Sequence, residues 1–281
     1  MRPRAALRWV ASRVPPPLLR VVRYPREFAF VNGWGAFDRP GASVVFLTVQ
    51  KCASMLMRSL LAQVNRRYLG LSYLDLAGYL WDVTERPVYQ HISAHAGELL
   101  RETGICYAPF RSYVDVSHLR RARVLGMVRD PRDVVVSGYF SSRYSHRAPA
   151  NARRRQAFLE QRAALEHTTL DDYALAYAQR LQPVYELYRT RLDRSRMLTY
   201  EEMWSGFPAW LARLGQLLEV DFTPQDAERF RALAGVDRTG GEQVREHRRK
   251  GTPGDYRDKL SPAVAGRITD LFSDSLKWLY G

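Results

Sequence analysis

Seven residues, Ser43-Val44-Val45-Phe46-Leu47-Thr48-Val49, favour an extended chain and show no alternation of polar with apolar side chains. A strand covered on one face alternates, whereas a strand buried on both faces of a parallel sheet reads as a continuous run. This run enters a short turn, Lys51-Cys52-Ala53-Ser54, after which Met55, Leu56, Leu60, Leu61 and Val64 share one helical face. The order strand, turn, helix then recurs. Arg123-Val124-Leu125-Gly126-Met127-Val128 reads as a strand, and Asp130-Pro131 opens a helix with Asp as N-cap and Pro in the first turn. Residues 86–92 form a shorter strand candidate and residues 196–200 another. Helical patterns occupy roughly 156–166, 170–192, 206–219 and 224–234, with one closing helix over 261–280. Residues 141–155 read as an exposed Arg-rich loop and 235–257 as a Gly-rich one. The expected fold is α/β, a P-loop-like three-layer arrangement with a central, mostly parallel sheet flanked by helices.

A chain of 281 residues can bury one full core. Residues 1–40 are expected to form a basic arm packed on that core, and 41–281 the main domain. The arm carries seven arginines before Glu27, and Pro15-Pro16-Pro17 forbids a single helix through it. The net charge of +14 favours an anionic ligand, polymer or membrane surface, although a GC-rich, bacterial coding background produces the same bias. Of the 43 basic residues, 39 are Arg and four are Lys. That scarcity singles out Lys51 and Lys250, which both lie in candidate phosphate motifs. Cys52 and Cys106 are too few for a disulfide framework, which points to a reducing compartment. No apolar run approaches the ~20 residues that span a bilayer, and charge interrupts any signal-peptide core between Arg8 and Arg13. A cytoplasmic protein is expected. No His, Cys or carboxylate cluster has metal-ligand spacing.

A strand that ends in a tight basic turn and feeds a helix can grip a phosphate, because the first helical N–H groups are unpaired and face the anion. Lys51 supplies a mobile charge there and Ser54 a hydroxyl, with Ala53 small enough for close approach. A triphosphate-binding Walker loop needs glycine one and six places before the Lys, where this chain has Gln50 and Val45. Arg129 stands at the C-terminal edge of the next strand, where open α/β sheets bind ligands. Ser137 follows two helical turns on, so the two can converge on one phosphate, Arg through a charge-assisted contact. An ordinary helix-start ion pair between Arg129 and Asp133 is the structural alternative.

Taken together these motifs resemble the sulfotransferases that use 3'-phosphoadenosine-5'-phosphosulfate (PAPS), most closely the soluble, cytosolic-type branch. The resemblance runs from about residue 43 to 276. It implies that Lys51, Cys52, Ala53, Ser54 and Met55 form the 5'-phosphosulfate loop and that Arg129 with Ser137 forms the 3'-phosphate site. Tyr200, in Tyr200-Glu201-Glu202-Met203, is similar to the family's tyrosine near the adenine. Arg249, Lys250 and Gly251 open a stretch, Arg249 through Tyr256, similar to the late loop that closes on the 3'-phosphate. The implied cofactor is PAPS, its product is 3'-phosphoadenosine-5'-phosphate (PAP), and no metal is needed. The phosphosulfate loop departs from the family in having Ala53 for glycine and Leu56 for an aromatic, which removes one adenine-stacking partner; Phe230 is a candidate replacement.

The family's Lys-Thr-His signature, with its catalytic base, is also absent; Tyr107 stands near its place, and Arg111 is a candidate replacement for its Lys. Candidate bases are His91 and His95, with the carboxylate Glu98 one turn later. Lys51 would meet the leaving oxygen. The acceptor is a hydroxyl or amine of a small molecule, lipid or glycan. Tyr68, Leu69, Leu71, Tyr73, Leu74, Tyr79 and Trp81 would suit an apolar acceptor pocket or core packing alike. The basic surface allows peripheral membrane contact, and no specific nucleic acid is expected. Two other classes compete: a P-loop-like kinase, and a basic nucleic-acid-binding protein whose affinity falls steeply with salt.

Overall fold

The computed structural model describes residues 21–84, 86–146, 148, 152–236 and 251–281. Five strands form one sheet: β1 (Val44–Thr48), β2 (Ser72–Leu74), β3 (Ile105–Tyr107), β4 (Arg123–Val128) and β5 (Met197–Thr199). Their order is β2-β3-β1-β4-β5 and all four pairings are parallel. β1 lies at the centre with all five residues buried, which is why its sequence shows no alternation. Its partner β4 runs in register from Val44 against Arg123 to Thr48 against Met127. At Gly126 a side chain would meet Met197 Sδ at 2.7 Å, so β4 and β5 close up only over a glycine.

The chain passes from β1 to β2 and β3 on one side, then crosses to β4 and β5 on the other. The C-terminal ends of β1 and β4 therefore adjoin where the winding reverses, the ordinary position of a ligand crevice in such sheets. The long Leu170–Arg191 helix crosses these ends. Its Tyr188 hydroxyl donates to Thr48 O at 2.7 Å, and its Tyr185 hydroxyl donates to Arg129 O. Gly138 on the Pro131–Phe140 helix lets the same long helix approach, because a Cβ there would sit 2.6 Å from Tyr177.

Several sequence expectations change. Residues 86–92 are not a strand: Pro87 caps a helix, Val88–Ala94, that buries Val88 and Ile92 one turn apart. A window of seven residues does not separate the two periods, and the real neighbouring strands, β2 and β3, have only three residues each. The stripe at 68–81 divides between core and surface: Leu71, Leu74 and Tyr79 are buried, Tyr68 packs edge-on against Phe222, and Trp81 is exposed. The segment 141–155 is not all loop, since a π-helical turn covers Ser141–Ser145 and a helix begins at Ala152. The closing helix is two, Pro262–Leu271 and Ser273–Tyr280, broken at Phe272. The described part of the N-terminal arm packs on the core through Phe30, and Glu27 accepts the Asp75 N–H at 2.6 Å. Among the described residues no helix is long and apolar enough to cross a membrane.

Candidate functional site

The turn after β1 is wound tightly. Lys51 and Ala53 both take left-handed backbone angles, with φ of 65° and 47°. Such angles strain a residue with a side chain, and here they curl the chain so that the Ser54–Val64 helix starts with no side-chain cap on its first amides. Cys52 points inward, fully buried; its Sγ donates to Met127 O at 3.5 Å, and burial pushes its thiol up to about 12. A thiol so held is a packing residue, not a nucleophile. Lys51 is half-buried. Burial first, then the charges of Arg111 and Arg129, pushes its ammonium down to about 8.

Arg129 links this turn to the other motifs. It is buried, and its Nη1 donates to Lys51 O at 3.4 Å while its Nη2 lies 3.3 Å from Asp133. The ion pair with Asp133 anticipated as the structural alternative is therefore formed. Arg129 also does more: its guanidinium lies 4.4 Å from the centre of the Tyr200 ring, and its Nε is a buried donor without a partner among the described residues. A buried guanidinium N–H left open in this way suits an anion. Ser137 is half-buried one helical turn beyond Asp133 on the same face.

Asp133 binds the late loop. It accepts the Gly254 N–H at 2.7 Å and the Tyr256 N–H at 3.1 Å. Tyr200 reaches the same loop, its hydroxyl donating to Gly251 O. Gly251, with φ of 81°, is pressed on Trp204 so closely that a Cβ would stand 3.3 Å from the indole. Arg249 and Lys250 lie outside the described residues. Three of the sequence motifs thus meet around Arg129, and the fourth arrives through Gly251.

Two predicted residues go elsewhere. Phe230 is fully buried and packs edge-on against Phe222 at 5.4 Å, so it offers no open ring face. The His91 and His95 rings lie 4.4 Å apart, tilted by 46°, in a recess of about 140 Å³ with Phe30, Val31 and Glu98. Burial, His95 and Arg86 hold the His91 imidazole below its usual range. Their helix turns Tyr89, two places before His91, the other way: its hydroxyl accepts the Arg111 N–H at 3.1 Å. Tyr89 and Arg111 line a different cleft, of about 170 Å³, beside Gln50, and the two spaces share no lining residue. The structure does not bring the histidines to Lys51. Tyr107, near the place of the missing base signature, is buried with its hydroxyl donating to Leu99 O at 3.0 Å.

Trp204 was not anticipated, although the signal is present: an aromatic one helical turn after Tyr200. Its ring centre lies 6.4 Å from that of Tyr200, and its indole N–H is buried without a partner among the described residues. Glu201, beside it, accepts the Asp130 N–H at 3.0 Å and the Tyr280 hydroxyl at 2.8 Å, and burial raises its carboxyl. This fixes the start of the Pro131–Phe140 helix against the chain's last turn.

Among solved structures, the mouse sulfotransferase SULT7A1 complexed with PAP is similar at 16% identity over 89% of this chain and 87% of its own, with a TM-score of 0.49. A retinol dehydratase in complex with androsterone and inactive cofactor PAP is similar at 15% identity over 84% of this chain and 80% of its own, with a TM-score of 0.46. The sulfotransferase domain from the curacin biosynthetic pathway shares 15% identity over 84% of this chain and 98% of its own, at 0.39. No curated protein matches the chain. The family described as the sulfotransferase domain matches residues 108–279, more than half of the sequence. The chain belongs to the sulfotransferase domain family.

Proposed function

We propose that this sulfotransferase moves a sulfuryl group from PAPS to a hydroxyl or amine acceptor and releases PAP. The observation that carries this reading is the position of Arg129. A buried guanidinium with an open N–H sits between Lys51 O, Tyr200 and Asp133, and so joins the turn after β1 to the elements that hold the late loop.

On this reading Arg129 and Ser137 hold the nucleotide's 3'-phosphate, joined by Arg249, Lys250 and Gly251 from the late loop. The residues Lys51 to Met55 hold the phosphosulfate end. Tyr200 and Trp204 flank the base, with Trp204 in the role that Phe230 cannot fill. The bound nucleotide supplies the sulfuryl group and a stable phosphate leaving group. Lys51, as an ammonium, faces the charge that develops on leaving, which is the electrostatic contribution that dominates such transfers. The cleft beside it positions the acceptor oxygen. Among the described residues no His, Asp or Glu lines that cleft; on this reading Lys51 and positioning carry the step, and the acceptor proton passes to solvent. On the same reading the acceptor is a small molecule, lipid or glycan, the basic surface allows peripheral membrane contact, and the protein works in the cytoplasm.

The test is to incubate the protein with PAPS and a panel of phenols, primary alcohols, amines and glycans, following PAP release and sulfated product together. PAP appearing one for one with a sulfated product supports the reading. PAPS left intact with every acceptor, by a protein that also fails to bind PAP, overturns it.

A further inference from the structure

The cleft that Gln50 and Arg111 line, with Gln50 next in the chain to Lys51, carries two arginines. The Leu170–Arg191 helix presents Tyr177, Arg180, Leu181 and Val184 to it, spaced three, four and seven apart on one helical face. The opposite side supplies Tyr89 and Arg111. Two guanidinium groups thus face a space that no carboxylate among the described residues lines. Neither is neutralised elsewhere: among the described residues neither forms an ion pair. The Arg111 Nη2 contacts Met55 Sδ at 3.2 Å, and Arg180 lies 5.7 Å from the centre of the Tyr177 ring. Lys51 adds a third positive charge, close enough to Arg111 to feel it.

Uncompensated cations around a partly apolar cleft cost repulsion and serve a ligand that brings its own negative charge. If Arg111 is drawn to the phosphosulfate end of the nucleotide, Arg180 still has no anion, since it belongs to none of the nucleotide motifs. Its side chain is exposed at the mouth, whereas Leu181 is buried and Val184 half-buried. The cleft therefore offers a partly apolar, aromatic-walled interior with the exposed Arg180 cation at its rim.

We propose that the acceptor is itself an anion: a hydroxyl compound with an apolar or aromatic body and a carboxylate, sulfonate or phosphate that Arg180 binds. This rests on the sulfotransferase reading for the transfer step alone. In that step the acceptor oxygen–sulfur bond forms and the bond from sulfur to the nucleotide phosphate breaks. The electron pair stays on the phosphate, and the hydroxyl proton is lost to water. The anionic group keeps its charge throughout and serves to orient.

The experiment titrates the protein, alone and saturated with PAP, with paired probes. These are 3-(4-hydroxyphenyl)propionate and 12-hydroxydodecanoate, each against its methyl ester, with 4-hydroxybenzenesulfonate and 4-hydroxyphenyl phosphate against phenol to separate the anion types. Each protein is also assayed for PAP release from PAPS. The expected result is about a tenfold preference for at least one anion over its neutral partner, the ordinary worth of a charge-assisted hydrogen bond. Arg180→Ala removes that preference and leaves PAP affinity and binding of the neutral partner unchanged. Arg196→Ala, which removes an exposed charge outside the cleft, keeps the preference. Equal binding of every anion and its neutral partner overturns the proposal, as does a preference that survives in Arg180→Ala or is lost equally in Arg196→Ala. Failure of PAP to bind while the Arg180-dependent preference persists counts against the nucleotide reading and not against this one.

Discussion

Asp133 Oδ2 accepts the backbone N–H of Gly254 at 2.7 Å, while the same carboxylate pairs with Arg129 at 3.3 Å. One buried acid therefore both balances the arginine and fixes the late loop. Asp133→Ala leaves the buried Arg129 charge uncompensated and frees the Gly254 and Tyr256 amides. A stability loss of about 3–5 kcal/mol is expected in denaturant unfolding, together with weaker binding of PAP. Asp133→Asn keeps a carbonyl acceptor for the loop and is expected to lose less. Equal stability of all three proteins contradicts this account.

The ammonium of Lys51 sets a pH limit. Its pKa in the folded protein is pushed below the ordinary lysine value, to about 8, by burial and by Arg111 and Arg129. The proposed role at the leaving oxygen needs the charged form, which is present below that value and lost as pH rises through it. For the free enzyme, kcat/KM is thus expected to fall above about pH 8. Stability moves the opposite way. Between the folded value and the ordinary one the unfolded chain binds the extra proton, so this group's contribution to stability rises with pH. A fall in rate without unfolding, absent in whatever activity Lys51→Arg retains, is the signature to look for in paired rate and melting profiles.

Trp204 and Phe230 are expected to fail differently. Trp204→Ala removes a half-buried ring beside Tyr200 and weakens PAP roughly tenfold or more, the usual worth of one base-stacking partner, with a smaller loss of stability than Phe230→Ala. Phe230→Ala opens a core cavity and costs about 3–5 kcal/mol of stability. Calorimetric PAP titration beside denaturant unfolding separates them; a Phe230→Leu variant that folds normally yet loses PAP would restore the sequence-based choice.

His91 and His95 face their own recess with Phe30 and Glu98. Single alanine variants are expected to keep kcat within about threefold of the parent, against the loss of 10²–10⁴ that removal of a general base brings. A loss of the latter size in either variant, at unchanged PAP affinity, would return the base to this pair.

Much of this candidate site is legible in the chain because each proposed phosphate motif is local. β1 with Lys51 and β4 with Arg129 announce themselves through an apolar run, a turn and a capped helix within about a dozen residues. What fails is what depends on distant packing. Residues 86–92 read as a short strand in sequence, whereas Pro87 and the burial of Val88 and Ile92 make a helix of Val88–Ala94. With that segment helical, His91 turns from a strand-end base into the wall of another recess. Phe230 is misjudged for a similar reason, since nothing in its own helix reveals that Phe222 covers it. Arg180 is the reverse case: an unremarkable arginine in sequence, whose place in the cleft with Gln50 and Arg111 appears only once Leu170–Arg191 crosses the ends of β1 and β4.

The most direct test of the central claim is calorimetric titration with PAP, against AMP and ATP, at moderate salt with and without magnesium. The account predicts tight one-to-one binding of PAP that needs the 3'-phosphate, is indifferent to magnesium and is lost in Arg129→Ala. Selective, magnesium-dependent binding of ATP, or no nucleotide binding at all, would contradict it.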